Sequence, residues 1–166
     1  QASSSAASDV YKRQTKHLVK GPGAVRFLDW FTCNKLPKVG RINLTYALTN
    51  AGTTRTEYTI VRLKQDEFYL VSAGAWTDYD ADYLRKSAED KSPEFGYIEI
   101  HDVTSQWGVF AVAGPKSRDF LSQLVRDEDQ ETALSNERFP WLSFKRVELG
   151  MCSVSYTHLT LPTTML

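Results

Sequence analysis

The clearest pattern of apolar and polar positions along the chain occurs twice. Val19 begins VKGPGAVRFLDWF and Val112 begins VAGPKSRDFLSQL, so both follow V-x-G-P-x-x-x-x-F-L-x-x-apolar, ending at Phe31 and Leu124. In each copy a strand is expected to end at the glycine, Gly21 or Gly114, where the missing Cβ permits a tight change of direction. Pro22 or Pro115 then opens a helix, because proline is tolerated at the first helical position. Phe27, Leu28 and Phe31 recur at helical spacing, as do Phe120, Leu121 and Leu124, which gives each helix one buried stripe. Two copies with matching apolar positions predict a duplicated strand-Gly-Pro-helix unit.

Between the copies the period shortens to that of strands. Arg41 to Leu48 and Glu57 to Leu63 are rich in β-branched and aromatic residues and are joined through Asn50-Ala51-Gly52, a turn signal. Phe68 to Ser72 follows the polar Lys64–Glu67 turn as a further strand. Short strands this closely spaced predict antiparallel hairpins, since parallel neighbours need long crossovers. Thr77 to Lys86 sets Tyr79, Ala81, Tyr83 and Leu84 among charges and reads as a helix starting near Thr77 or Asp78. Tyr97 to Val103 and Trp107 to Ala113 predict two more strands, the second feeding the repeated Gly-Pro. Asp127 to Asn136 is polar, a loop or short helix. Phe139 to Leu142 is a compact apolar knot, and Lys145 to Leu149 alternates like a final strand. The class is α+β, antiparallel strands with packed helices.

The two ends change how much of the chain enters this picture. Ser4–Gln14 back-translates to a DNA whose reverse complement encodes VSYTHLTLPT, the sequence from Val154 to Thr163. That DNA resembles a transposase adapter used in preparing sequencing libraries. Residues 1–14 and 154–166 are therefore expected to be adapter-derived tails that pack poorly, and residues 15–153 a partial domain.

Composition removes several function classes. The chain balances 20 basic against 20 acidic residues, which offers no electrostatic footprint for nucleic acid. No apolar run approaches the roughly 18 to 20 residues that span a bilayer. With no targeting signal in residues 15–153, a cytoplasmic location is the expectation. Trp30, Trp76, Trp107 and Trp141 are spread along a chain that is 12% aromatic, enough for a packed core. Cys33 and Cys152 are too few for a disulfide framework, and with His17 and His101 they show no metal-ligand spacing, so structural or surface roles are expected and no metal. No nucleophile elbow, phosphate loop or dinucleotide fingerprint occurs between Thr15 and Ser153.

Four stretches, in order, carry a family resemblance. VGRINLTYALTNAGTTRTE, from Val39 to Glu57, is similar to the V-G-R-x-x-x-T-x-x-L-x-x-x-G-G-x-x-x-D segment of the aminomethyltransferase family. EFYLVSAGAW, ending at Trp76, resembles the strand that follows it there. HDVTSQWGVFAVAGPKSRDFL, from His101, resembles the family's D-V-T…G-P stretch, and LSNERFPWLSFKRVELG, from Leu134, resembles the dimethylglycine and sarcosine dehydrogenase branch. In that branch the domain is the C-terminal half of a flavoprotein. An N-terminal FAD domain oxidises an N-methyl amine to an iminium, and tetrahydrofolate held by this domain captures the one-carbon unit. The resemblance thus implies small-molecule partners, folate and an amine-derived one-carbon unit, with FAD confined to a domain upstream. A Y-x-G-E-x-G-W-E stretch, whose glutamate grips the pterin, would follow Ser153, so the chain as given is expected to bind folate weakly or not at all.

The family's key acid closes G-G-x-x-x-D, and Gly52-Thr53-Thr54-Arg55-Thr56-Glu57 places Glu57 there. A carboxylate beside the folate amine takes its proton or stabilises the cation. Two departures stand out: Thr53 replaces the second glycine, and Glu57 replaces Asp with one more methylene of reach. A solvated strand carboxylate is the other reading of Glu57. Arg55, two residues away and hence on the same face by strand alternation, either orients Glu57 or pairs with it at the surface. Tyr46, Tyr58, Ser72 and Trp76 are either the aromatic and small polar walls of a pterin pocket or parts of the core. Alternatives within the fold are a glycine-cleavage T-protein or a folate-dependent demethylase. A non-catalytic folate-binding module, the reading from another class, usually shows K-G-C-Y-x-G-Q-E, and none appears before Ser153.

Overall fold

The computed structural model describes residues 14–73, 77–126 and 132–148, with the backbone of 164–165. It divides into two compact units, residues 1–111 and 112–166. In the first, β1 (Thr15–Lys20), α1 (Ala24–Phe31), β2 (Ile42–Leu48), β3 (Thr54–Lys64), β4 (Glu67–Ser72), α2 (Thr77–Phe95) and β5 (Glu99–Asp102) follow in order. The strands form one sheet, β2-β3-β4-β1-β5, with antiparallel pairing at every step. The predicted α+β class and hairpin connections hold.

Strand alternation explains the core. Tyr58 and Ile60 of β3, Phe68 and Leu70 of β4 and Val19 of β1 are buried in one cluster with Ala24, Phe27, Leu28 and Phe31 of α1 and Leu84 and Ala88 of α2. Phe31 is its aromatic hub, with ring centroids 5.2 Å from Phe27, 5.9 Å from Tyr58 and 5.5 Å from Tyr83. Separations of this kind suit stacked and tilted aromatic pairs.

The first Gly-Pro copy behaves as its sequence predicts, with one refinement. The helix opens at Ala24 rather than at Pro22, after Gly23. Gly21 sits at φ +117°, and a Cβ on Gly23 would lie 2.3 Å from the Gly96 carbonyl oxygen. The Gly23 amide donates to the Tyr97 carbonyl at 3.0 Å, so the turn into α1 is pressed against the turn out of α2. Only glycine allows that approach.

α2 runs nine residues past the predicted end at Lys86, to Phe95. Its second half is polar because a single stripe, Ala81, Leu84 and Ala88, is buried. Gly96, at φ +99°, ends it, its amide donating to the Ser92 carbonyl at 2.9 Å. The strand predicted at Tyr97 to Val103 is shorter, Glu99–Asp102.

β2 is an edge strand, and its outward carbonyls are occupied. Leu44 accepts from the Asn34 side-chain amide at 2.9 Å, Tyr46 from the Cys33 backbone at 2.9 Å and Leu48 from the Tyr83 hydroxyl at 3.1 Å. Asn43 returns the favour, donating its side-chain amide to the Lys35 carbonyl at 3.0 Å.

The second unit departs from the duplication. Residues 107–113 form no strand, and Phe110 and Val112 are exposed. A short helix, α3 (Ser117–Ser122), follows, but Phe120 is 54% exposed. Leu121 instead packs with Phe139 and Val147 around Val125, Ala133 and Leu134. The physical reason is that, among the described residues, nothing packs against this turn: a Cβ on Gly114 would meet nothing within 4 Å, whereas its counterpart turn is wedged against a neighbour. The apolar knot at Phe139–Leu142 is also open, with Trp141 81% exposed. Of the predicted final strand the described residues show β6 (Val147–Glu148), which pairs with β7 (Thr164–Met165), and Leu149 lies outside them. Apart from Gln14, Thr164 and Met165, the expected tails lie outside the described residues, as do residues 127–131 of the polar stretch. No helix among the described residues is long and apolar enough to cross a membrane.

His17 is a buried exception in the core face of β1. Neither ring nitrogen has a hydrogen-bond partner among the described residues. Burial holds its imidazole below the ordinary value of 6.5; Asp102 and Asp80 oppose this and Arg85 reinforces it. Between the lowered value and 6.5 the unfolded chain binds more protons than the native one, so stability is lost as pH falls through 6.5. The depressed Asp102 carboxyl acts separately, its contribution lost only below its ordinary 3.8.

Two outcomes follow for stability. Phe27→Ala costs about 3–5 kcal/mol in denaturant unfolding, while Phe120→Ala stays within about 0.5 kcal/mol; equal losses would restore the duplication. Urea midpoints of the unaltered chain fall between about pH 7 and about pH 5, and His17→Gln, which cannot gain the proton, flattens that slope.

Candidate functional site

β3 carries the candidate carboxylate, and its register decides what surrounds it. Glu57 stands directly across from Tyr46 of β2, and Thr45 across from Tyr58. Directly paired residues share a face with Cβ atoms roughly 5 Å apart. Glu57 is exposed and Tyr46 half-buried, on the face away from α1 and α2. The two interact: hydrogen bonding to the Glu57 carboxylate, then its charge, pushes the Tyr46 phenol above its ordinary value. The Cys33–Tyr46 backbone bond anchors this point of β2 to the segment after α1.

Tyr58 and Ser72 lie on the other face. They pair across β3 and β4, and Ser72 pairs on its far side with Thr15, whose hydroxyl it hydrogen-bonds. Tyr58 is 1% exposed, packed against Phe31, and its hydroxyl has no hydrogen-bond partner among the described residues. Burial first, then the charge of Asp80, drives its phenol far above the ordinary value. Of the four residues expected to wall a pterin pocket, the structure brings only Tyr46 beside Glu57. Tyr58 and Ser72 are in the core, and Trp76 lies outside the described residues.

Arg55 corrects the alternation argument. Thr56 pairs with Ala47 and Thr54 with Leu48, so Arg55 is the extra residue of a β-bulge. A bulge re-aims the side chain it carries. The guanidinium of Arg55 therefore turns toward α2, 3.5 Å from the Tyr79 ring centre and 4.7 Å from that of Tyr83, and touches the Tyr79 hydroxyl. Among the described residues its partners are these rings rather than the Glu57 carboxylate. The turn before it follows its sequence: Gly52, at φ +78°, donates its amide to the Thr49 carbonyl at 2.9 Å. Thr49 and Thr53 join hydroxyls at 2.7 Å, so the threonine in place of the second glycine is used to close the loop.

Sequence reasoning missed the next residue's partner. Thr56, beside Glu57, is buried and donates its hydroxyl to the Asp80 carboxylate at 2.6 Å. Asp80 sits in the first turn of α2, a position where its charge also favours the helix start. One signal was available: an acidic residue a single position before buried Ala81 lies at the margin of the helix's buried stripe.

The chain matches the family model described as GCVT N-terminal domain over residues 5–160. It is 30% identical to human mitochondrial dimethylglycine dehydrogenase over 141 residues, covering 84% of this chain and 15% of that protein. It is 31% identical to sarcosine oxidase subunit alpha of Rhizobium meliloti (strain 1021), with coverages of 79% and 13%. Against the aminomethyltransferase of Thermus thermophilus the identity is 30%, with coverages of 74% and 34%. The chain therefore spans between 13% and 34% of the length of these relatives. The crystal structure of glycine cleavage system aminomethyltransferase T from Bartonella henselae shares the fold over 57% of this chain and 26% of its own, at TM-score 0.50 and 23% identity. By motif order, antiparallel α+β architecture and these matches, the chain belongs to the GCVT N-terminal domain family of aminomethyltransferases, related to dimethylglycine dehydrogenase and to sarcosine oxidase subunit alpha.

Proposed function

We propose that this chain forms part of a tetrahydrofolate-binding, one-carbon transfer domain of an FAD-dependent N-methyl amine dehydrogenase of the dimethylglycine or sarcosine type, with Glu57 as its acid–base group. The observation that carries the proposal is the exposed Glu57 carboxylate on the face of β3 away from α1 and α2, at the position of the family's key acid, with Tyr46 directly across. Family membership and the names of the relatives support the substrate class.

The residues present fit a folate in part. Tyr46 is half-buried on the same face as Glu57 and offers an aromatic wall with a polar edge, which suits a flat heteroaromatic ring. Tyr58 and Ser72 serve from beneath, fixing β3 and β4 rather than lining a pocket. Tetrahydrofolate, when bound, supplies the nucleophilic nitrogens that accept the one-carbon unit.

Glu57 does the proton work of this chain. An exposed carboxylate at neutral pH is an acceptor, and its oxygens take a proton from an adjacent amine or stand against a developing positive charge. Being a glutamate, it reaches one methylene further than the family's aspartate from the same backbone position. Tyr46 limits where that longer side chain settles. The flavin-dependent oxidation belongs to another domain and asks nothing of Glu57.

The test uses the full-length flavoprotein that carries this domain. Glu57→Gln keeps shape and most folate affinity and lowers the rate of 5,10-methylene-tetrahydrofolate formation by about 10²- to 10⁴-fold or less, as for a positioned general base. Amine oxidation followed at the flavin is unchanged. An unaltered folate-coupled rate would reduce Glu57 to a solvated surface carboxylate, and loss of both half-reactions would indicate misfolding.

A further inference from the structure

The first two turns of α2 hold the β2–β3 hairpin at three points around Glu57. Asp80 accepts from Thr56, the residue immediately after the bulge and immediately before Glu57, at 2.6 Å and in a buried setting. Tyr79 and Tyr83 stack on Arg55, the bulged residue itself. The Tyr83 hydroxyl reaches the Leu48 carbonyl on the opposite strand at 3.1 Å, at the other side of the bulge. All three contacts fall where the ladder is irregular, and two of them grip the residues that precede Glu57.

A bulge leaves its strand without regular ladder bonds and free to bend. Something else must then fix the backbone at that point, and here it is α2 rather than the neighbouring strand. Thr56 points into the core and Glu57 out of it, so a bond that fixes Thr56 also fixes the direction in which Glu57 leaves the sheet. The Thr56–Asp80 bond is suited to this: a hydroxyl donating to a buried carboxylate is charge-assisted and stronger than a neutral pair. Arg55 adds a cation over two rings, partly desolvated by them.

We infer that Asp80 is a positioning residue, which through Thr56 sets the backbone and exit direction of Glu57, with the Arg55–Tyr79–Tyr83 stack closing the same clamp. This rests on the proposed role of Glu57 for its functional meaning, but the clamp itself is tested without folate. The chain as it stands is labelled for NMR, and two quantities are read: amide hydrogen exchange along β3 and the side-chain carboxyl resonance of Glu57. In Thr56→Val and in Asp80→Ala, exchange at Arg55 to Tyr58 rises at least tenfold and the Glu57 carboxyl signal shifts or broadens. Amides of Val19, Phe68 and Leu70, in the sheet away from the bulge, keep their protection.

The conservative partners restore the pattern. Thr56→Ser keeps the hydroxyl donor and Asp80→Asn keeps an oxygen acceptor, so both hold exchange near that of the unaltered chain and remain informative if the harsher variants do not fold. Unchanged exchange at Arg55 to Tyr58, or a rise shared equally by the whole sheet, overturns the inference, as does failure of Thr56→Ser and Asp80→Asn to rescue. An unaltered folate-coupled rate in the Glu57→Gln flavoprotein, by contrast, would overturn the functional proposal and leave these exchange results as they are.

Discussion

The helices cover one face of the five-stranded sheet, and much else in the first unit follows from that asymmetry. Period-two alternation sends Tyr58 and Ile60 inward to α1 and α2 and leaves Glu57 outside. Burial of Phe27, Leu28, Phe31, Phe68 and Leu70 on the covered face supplies the driving force, at about 1.5–3 kcal/mol per large side chain. A carboxylate on that face would have to pair or neutralise. On the opposite face Glu57 is exposed to solvent, with Tyr46 as its directly paired neighbour. The same partition explains why Tyr58, adjacent in sequence, belongs to the core.

Much of this was legible from residues alone. The first Gly-Pro unit, the β2–β3 hairpin with its turn at Gly52, and β4 all follow from glycine position and β-branched runs, and the structure has them within a few residues. The carboxylate was legible only through the family motif, since spacing does not distinguish it from any other strand glutamate. Arg55 was misjudged because alternation presumes an unbroken ladder, and nothing local in TTRTE announces a bulge. The end of α2 was misjudged because a helix with one narrow buried stripe looks like a loop once Leu84 and Ala88 are passed. The second Gly-Pro copy shows the converse limit. Its apolar pattern matches the first, but a stripe is buried only where strands or helices are present to receive it, and Phe120 has none.

The two compact units are built differently. The strand carrying Glu57 is braced within the first unit by contacts to α2, β2 and β4. The second unit has its own small core around Val125, Ala133 and Leu134, with Arg118 stacked 5.3 Å from Phe139 and donating to the Leu134 carbonyl at 2.5 Å. Each is thus held by contacts of its own, which fits a family whose relatives are several times longer than this chain.

The sealed edge of β2 has a bearing on the chain's chemical ageing. A bare edge strand is a template for another chain, and here the Asn34 side-chain amide, the Cys33 backbone amide and the Tyr83 hydroxyl occupy the Leu44, Tyr46 and Leu48 carbonyls that would recruit one. Asparagine amides are also the groups that proteins lose by slow hydrolysis. Conversion of Asn34 to aspartate would replace a donor aimed at the Leu44 carbonyl with an anion that repels it, and at Asn43 the same change would face the Lys35 carbonyl. Ageing at Asn34 thus uncovers the Leu44 carbonyl of the β2 edge with no residue of the core altered, while the Cys33 and Tyr83 donors keep the Tyr46 and Leu48 carbonyls covered.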